Sequence, residues 1–206
     1  HVDSSAASDV YKRQNVNSST ADDFTITGNI ISSSGNQGID IDGLGHTVTG
    51  NVISNSSQDG LIIRTSDSLF SNNTVTASGQ DALNMINAND NVISGNVFDE
   101  SGVGFGGIVI ASSNMNSIVG NKITNMDDIS IELDSSSDNN LISGNFVENQ
   151  TTVDVFISIA GDDNAVIGNS IVDTVGDTVG IRTTADADGT YIADNVIDKA
   201  AGTDAN

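Results

Sequence analysis

The amino-acid sequence predicts an all-β solenoid of about eight coils, each 22–26 residues long and built from short strands separated by turns. Three observations lead to this fold class. A short motif centred on Asn recurs along the chain, and its spacing is nearly constant. The apolar residues around it are mostly Ile and Val, which favour strands.

The recurring motif is apolar-x-Gly-Asn-x-apolar, as in VTGNVI at 48–53 and ISGNVF at 93–98. Its Asn residues are separated by 22, 22, 23, 25, 24, 24 and 26 positions. They are Asn29, Asn51, Asn73, Asn96, Asn121, Asn145, Asn169 and Asn195. The positions three before and two after each Asn are apolar in all eight copies, so we expect both to point into the core.

A second alternating stretch precedes most copies of the motif, for example GIDID, GLIIR and GIVIA. Segments of three to five β-branched residues are too short for helices, so they are predicted to be strands. Strands of successive coils then pair in parallel at a spacing of about 4.8 Å.

The residue before the recurring Asn is Gly in six of the eight copies, which indicates a sharp bend between two strands. Gly adopts the positive φ that such bends require, and Asn tolerates it better than most residues. An Asn amide both donates and accepts hydrogen bonds, so amides stacked along the rod can satisfy buried turn groups. The eight Asn residues are therefore predicted to form a structural asparagine ladder.

The composition excludes several classes of site. The chain has no Cys, which rules out disulfides and Cys-based metal or nucleophile sites, and no apolar run is long enough for membrane insertion. The formal net charge of −22, from 28 acidic and 6 basic residues, argues against nucleic-acid partners. The acidic surface either provides solubility or binds cations through loop carboxylates.

The pattern I-x-G-N-x-I, with G-I-x-I upstream, resembles the repeats of right-handed parallel β-helix proteins of the pectin-lyase-like superfamily. The resemblance covers about residues 24–199 and implies a right-handed parallel β-helix. A leucine-rich repeat is the alternative, but its strands are rich in Leu and end in Asn. The superfamily includes polysaccharide lyases, glycoside hydrolases, uronan epimerases, phage tailspikes and surface adhesins, so the resemblance is specific for fold rather than function.

The ends of the chain are interpreted as artificial. Residues 9–14 read DVYKRQ, which is similar to the translation of the transposon-end adaptor used in sequencing libraries, and the chain begins with His1 rather than Met. We expect residues 1–14 to be adaptor read-through or a disordered segment. Residues 15–206 would then be a single β-helix domain, truncated at both ends. A natural basic patch at Lys12 and Arg13 is the alternative.

In the superfamily that the repeats resemble, the substrate lies along the sheet formed by the G-I-x-I strands. The polar and charged candidates for a ligand-binding face on that sheet are Asp40, Asp42, Arg64, Asn84, Glu132 and Arg182. Ser130 and Ser158 are expected to point outward on the same face.

No catalytic signature of the superfamily is complete. Acidic pairs occur at Asp127–Asp128 and Asp162–Asp163, but the N-T-D, G-H-G and R-I-K motifs of polygalacturonase-like hydrolases are missing. The D-P-H motif of epimerases is excluded because the chain has no Pro. The Arg and Lys residues that a uronan lyase would need are scattered over different coils. His46 is interpreted as a turn residue or, alternatively, as a base.

Asp59 and Asp81 are the one group of residues whose spacing suggests a catalytic or metal site. Both lie eight residues after a recurring Asn, so their carboxylates should stack on neighbouring coils. Such a pair suits a retaining glycosidase or a shared Ca²⁺ completed by Gln58, Gln80 and backbone carbonyls, or it consists of two solvated turn residues. Asp42 and Arg64 share another column, which should neutralise Asp42.

We therefore interpret the chain as a non-catalytic segment of a secreted or cell-surface bacterial β-helix protein. Its role would be structural, adhesive or glycan-binding. A polysaccharide or cell-surface glycan would be its partner, no cofactor would be required, and Ca²⁺ would be an optional ligand. The alternative is part of a carbohydrate-active enzyme, a polysaccharide lyase or glycoside hydrolase, that acts along the same face.

Overall fold

The computed structural model describes residues 14–16, 22–149, 155–174 and 179–199. These residues form 24 short strands and no helix, in three parallel sheets of eight strands each. No helix with the length and hydropathy of a membrane span occurs among them. The predicted all-β parallel solenoid is confirmed.

Each coil contributes one strand to each sheet, in the order A, B, C. Sheet A contains β1 (Gln14–Val16), β4 (Ile39–Leu44), β7 (Leu61–Ser66), β10 (Leu83–Ile86), β13 (Ile108–Ala111), β16 (Ile131–Leu133), β19 (Val155–Ile159) and β22 (Val179–Thr183). Sheet B contains β2 (Thr25–Thr27), β5 (Thr47–Thr49), β8 (Leu69–Ser71), β11 (Val92–Ser94), β14 (Ser117–Val119), β17 (Leu141–Ser143), β20 (Ala165–Ile167) and β23 (Tyr191–Ala193). Sheet C contains β3 (Ile30–Ser32), β6 (Val52–Ser54), β9 (Thr74–Thr76), β12 (Val97–Asp99), β15 (Lys122–Thr124), β18 (Phe146–Asn149), β21 (Ser170–Asp173) and β24 (Val196–Lys199).

The apolar residues of the repeat build the core. The residue three before each recurring Asn lies on sheet B, and the residue two after it lies on sheet C. Fourteen of these sixteen residues are buried, including Phe70 and Phe98. The exceptions are Ile192 and Ile197, each 45% exposed. These two pair in register with the buried Val166 and Ile171, so they lie on the predicted inward side, and they are exposed because no described coil covers the far side of theirs.

The bend between sheets B and C has a positive φ at the residue before the recurring Asn in every coil. Six of these residues are Gly, and the other two are Asn72 (φ 53°) and Asp194 (φ 55°). At Gly144 (φ 61°) an added Cβ would meet no atom within 4 Å, so Gly is favoured there by backbone conformation and not by lack of space.

Gly144→Ala should therefore lower the free energy of unfolding by about 1 kcal/mol, the typical penalty of a left-handed residue with a Cβ. Gly144→Asn should lower it by less, because Asn72 already occupies the equivalent bend. Chemical denaturation of the two variants measures the difference. Equal losses for Ala and Asn would contradict this explanation.

Residues 1–13 of the segment predicted to be adaptor read-through lie outside the described residues. Gln14 itself belongs to β1, where it pairs with Ile39 of β4. Parallel pairing in sheet A thus includes one residue of the segment that the sequence assigned to the adaptor.

Candidate functional site

The recurring Asn residues form a continuous hydrogen-bonded ladder between sheets B and C. The backbone N–H and the Nδ2 of Asn96 donate to Oδ1 of Asn121, at 2.9 Å and 3.0 Å. The same Nδ2 donates to the carbonyl oxygen of Phe70 at 3.0 Å. This pattern repeats from Asn29 to Asn195, and its middle members are buried. These amides are fully used by the fold.

A second ladder, which the sequence analysis missed, lies between sheets A and B. Its members are His46, Ser68, Asn91, Asn116, Asn140 and Asn164. From Ser68 onward, each side chain accepts a hydrogen bond from the backbone N–H of the preceding member, as when Asn91 N–H donates to Asn116 Oδ1 at 2.9 Å. The sequence does contain a signal for this second ladder, because every member lies five residues before a recurring Asn.

His46 belongs to this second ladder, and both of its ring nitrogens are engaged. Its Nδ1 accepts from the backbone N–H of Phe24 at 3.1 Å, so Nε2 carries the proton and donates to the carbonyl oxygen of Asp42 at 2.9 Å. The side chain is buried. The geometry favours the interpretation as a turn residue, since a general base needs a nitrogen that can reach a substrate.

Arg64 joins the two acidic residues at the start of sheet A. Its Nε donates to Asp42 Oδ1 at 2.9 Å, as the shared column predicted, and its Nη2 also contacts Asp40 Oδ1. Burial alone would lower the pKa of Arg64, but the bonds and charges of Asp42 and Asp40 outweigh it and raise the pKa. Asp40 is covered by this ion pair and is buried, so it presents little surface to a ligand.

Asp59 and Asp81 stack on neighbouring coils at the corner between sheets C and A. Asp59 Oδ1 accepts from the backbone N–H of Asp81 at 3.1 Å, and Asp81 Oδ1 accepts from Gly106 N–H at 2.8 Å. The two residues are only 5% and 8% exposed. They are therefore not the solvated turn residues that the sequence allowed as one alternative.

Burial raises the pKa of Asp59 to about 6, with a smaller contribution from the charge of Asp81. Burial also raises the pKa of Asp81, and the charges of Glu132 and Asp128 add to the effect. The pKa of Glu132 is raised by burial and by Asp128, against the opposing charge of Arg182. The corner and the adjacent part of sheet A thus carry negative charge that is only partly compensated.

The outward side of sheet A carries the remaining candidates. Asn84 lies on β10, Glu132 on β16 and Arg182 on β22, all in one register column. Ser158 precedes Arg182 in that column and is covered by it, with Arg182 Nη2 donating to Ser158 Oγ at 3.1 Å. Ser130 does not point outward as expected. It is buried, because it lies one residue before β16 begins, where the chain enters the strand.

A metal centre is not apparent in the part of the chain that the structure describes, where no group of three or more His, Cys, Asp or Glu residues could hold a metal ion. The Asp59–Asp81 pair supplies two carboxylates. Of the amides expected beside it, Gln58 already uses its Oε1 to accept from Gln37 Nε2 at 2.7 Å.

Solved structures with a similar fold include the following three proteins. A periplasmic alginate epimerase superimposes with a TM-score of 0.68 at 13% identity, over 85% of this chain and 45% of its own. The DFA-IIIase of Arthrobacter chlorophenolicus A6 gives 0.68 at 18% identity, over 88% and 47%. The enzymatically active domain of tailspike protein 2 of bacteriophage CBA120 gives 0.71 at 18% identity, over 91% and 30%.

These similarities show the fold alone, and the chain spans less than half the length of each of the three structures. No curated protein matches the sequence. The sequence profile described as "Right handed beta helix region" matches residues 14–105 and 37–197, which together include most of the chain. With three parallel sheets stacked coil on coil, the chain belongs to the right-handed β-helix family.

Proposed function

We propose that this chain is a non-catalytic segment of a glycan-binding β-helix rod, and that the glycan binds along the outward side of sheet A. The observation that carries the proposal is the column of accessible polar side chains on that sheet, Asn84, Glu132 and Arg182, which projects from a rigid, regularly spaced surface. Polar groups on rigid elements suit the recognition of sugar hydroxyls without rearrangement.

The side chains that could act in catalysis already form hydrogen bonds or ion pairs within the protein. His46 uses both ring nitrogens, and Arg64 is held by two carboxylates. Asp59 and Asp81 each accept a backbone hydrogen bond from the next coil. These contacts support a binding role over a catalytic one.

The solved neighbours support a carbohydrate ligand and a location at the cell surface or outside the cell. They include a periplasmic alginate epimerase, an enzyme in complex with DFA-III, and phage tailspikes. The comparison supports a carbohydrate as the class of ligand, and the chemistry of sheet A would determine which carbohydrate binds.

A glycan-array screen with product analysis tests the proposal. We expect at least one glycan to bind without being cleaved. Arg182→Gln should weaken its binding, whereas Lys122→Gln, which removes the same charge from sheet C, should not. Binding that is insensitive to Arg182→Gln, Asn84→Ala and Glu132→Ala would place the site elsewhere, and release of shortened products would show an enzyme.

An enzymatic role is the second candidate, and the raised pKa of Asp59 favours it. A carboxyl group with a pKa of about 6 can hold a proton near neutral pH, as a general acid must, and Asp81 would supply the second carboxylate of a glycosidase pair. The Asp59→Asn variant is then the control for product analysis. Asp59→Asn should abolish any cleavage while leaving binding to sheet A intact.

A further inference from the structure

Sheet B presents an outer face without charged residues. Each of its eight strands has three residues, and the middle one is the core residue three before a recurring Asn, so the first and third residues point outward. None of these outward residues, from Thr25 of β2 to Ala193 of β23, is charged. Sheet A, by contrast, carries Arg64, Glu132 and Arg182 on its outward side. The first and third residues of the eight sheet B strands are called the neutral face.

The last six strands of the neutral face follow one rule. Each strand from β8 to β23 presents one large apolar or aromatic side chain, and its other outward residue is Ser or Ala. Leu69, Val92 and Tyr191 are 38%, 40% and 61% exposed. An apolar row of this kind on an otherwise acidic surface marks an interaction site. The large residues are Leu69, Val92, Val119, Leu141, Ile167 and Tyr191.

A second copy of the chain fits this face. Two parallel rods can be related by a two-fold axis that runs along them, between their neutral faces. Each coil then faces the same coil of the other copy, and the first residue of a strand lies opposite the third. Leu141 meets Ser143 of the second copy, and Ile167 meets Ala165. A large side chain thus meets a small one in all six strands, as the interdigitation of stacked sheets requires.

The direction of the two rods follows from the same residues. Both copies have the same coil spacing, so the match between large and small residues holds along the whole parallel pair. In an antiparallel pair centred on the same face, β8 would lie opposite β17. Leu69 would then collide with Leu141, and Ser71 opposite Ser143 would leave a gap. The parallel arrangement avoids both.

Charge also favours a meeting of copies at sheet B. Two chains with a formal charge of −22 each repel one another wherever their acidic surfaces approach. The neutral face lets two copies meet without placing charged side chains opposite each other. Together with the bends beside it, the face is close to the roughly 20–30 residues per copy of a specific interface.

We propose that the neutral face joins two copies of this chain into a parallel, two-fold symmetric dimer. The contact is at the small end of specific interfaces and the acidic surfaces repel, so the dissociation constant should be about 1–100 µM. Sheet A lies outside the contact, so the dimer does not depend on the proposed glycan-binding function.

Sedimentation velocity of the chain from about 1 µM to about 200 µM measures the association. We expect an equilibrium between monomer and dimer. The dissociation constant should be about three- to tenfold lower in about 0.5 M NaCl than in about 0.05 M, because salt screens the repulsion between the two acidic chains.

Val92→Asp places a carboxylate in the neutral face and should raise the dissociation constant at least about tenfold. Val52→Asp is the matched control, because Val52 is 43% exposed, against 40% for Val92, but lies on sheet C. It adds the same charge and should change the dissociation constant less than about twofold. Thermal midpoints of both variants show that the rod is intact.

An exchange of residues within β17 tests the parallel arrangement. Ser143→Leu alone places Leu opposite Leu141 of the second copy and should weaken the dimer about tenfold. Combining it with Leu141→Ser returns a large residue opposite a small one. The double variant should therefore bind within about twofold of the parent chain.

Three results would overturn the proposal. They are a monomer at every concentration in both salts, equal weakening by Val92→Asp and Val52→Asp, and a double variant that associates no better than Ser143→Leu. If the chain stayed monomeric and Val92→Asp abolished binding of a glycan found on the array, the neutral face would bind carbohydrate instead of a second copy.

Discussion

Asn121→Ala should lower the free energy of unfolding by about 3 kcal/mol. The side chain lies in the middle of the first ladder, where its Oδ1 accepts from both nitrogens of Asn96 and its Nδ2 donates to the carbonyl oxygen of Ile93 and to Asn145 Oδ1. Truncation leaves the backbone N–H of Asn96 buried without a partner and removes one acceptor of its Nδ2, whereas the carbonyl of Ile93 remains within the parallel pairing of β11 with β14. Each unsatisfied buried group costs about 1–3 kcal/mol.

Asn89→Ala is the matched control. This half-buried residue also accepts a backbone hydrogen bond from the next coil, from Asn114 N–H at 2.8 Å, but it lies near solvent. Water can replace the lost bond, so the loss should be about 0.5 kcal/mol. Denaturant titrations of both variants give the two values. If the losses were equal, the ladder would have no special structural role.

The ladder and the core could be predicted from the sequence because a solenoid converts linear spacing into spatial position. Residues one period apart become neighbours in adjacent coils, so a column such as Asp42 and Arg64 follows from counting alone. The same rule located Asp59 directly before Asp81. It also held at the bend, where the required positive φ explains the choice of Gly.

Sequence spacing alone could not predict which residues are buried, or contacts between residues that are not one period apart. The sequence paired Arg64 with Asp42 and did not anticipate that its Nη2 also reaches Asp40. It treated Asp59 and Asp81 as surface residues if they had no function, whereas the corner between sheets C and A closes over them. The second ladder escaped notice because His46 and Ser68 begin a column that continues with Asn.

Asp59→Asn should raise the free energy of unfolding at pH 7 by about 1–3 kcal/mol and leave it nearly unchanged at pH 4. The pKa of Asp59 is raised from 3.8 to about 6 by burial and by Asp81. Between these values the folded chain holds a proton that the unfolded chain has lost. Stability therefore falls as the pH rises through this window, and the loss is complete above pH 6. Asn cannot ionise, yet its Oδ1 can still accept from Asp81 N–H.

Calorimetric unfolding between pH 4 and pH 8 measures this effect, with Asp67→Asn as the control. Asp67 is an exposed turn residue between β7 and β8, with a φ of 55° that Asn tolerates, so its replacement removes the same charge without changing a buried group. We expect the pH curve to flatten only for Asp59→Asn.

Repeating the scans in millimolar Ca²⁺ and in NaCl of matched ionic strength separates metal binding from screening. A Ca²⁺-specific stabilisation that Asp59→Asn abolishes would mean that the pair holds a cation, whereas equal effects of the two salts would leave burial as the origin of the pH dependence. A curve for Asp59→Asn that still falls as steeply as that of the parent chain would contradict the assignment of the proton to Asp59.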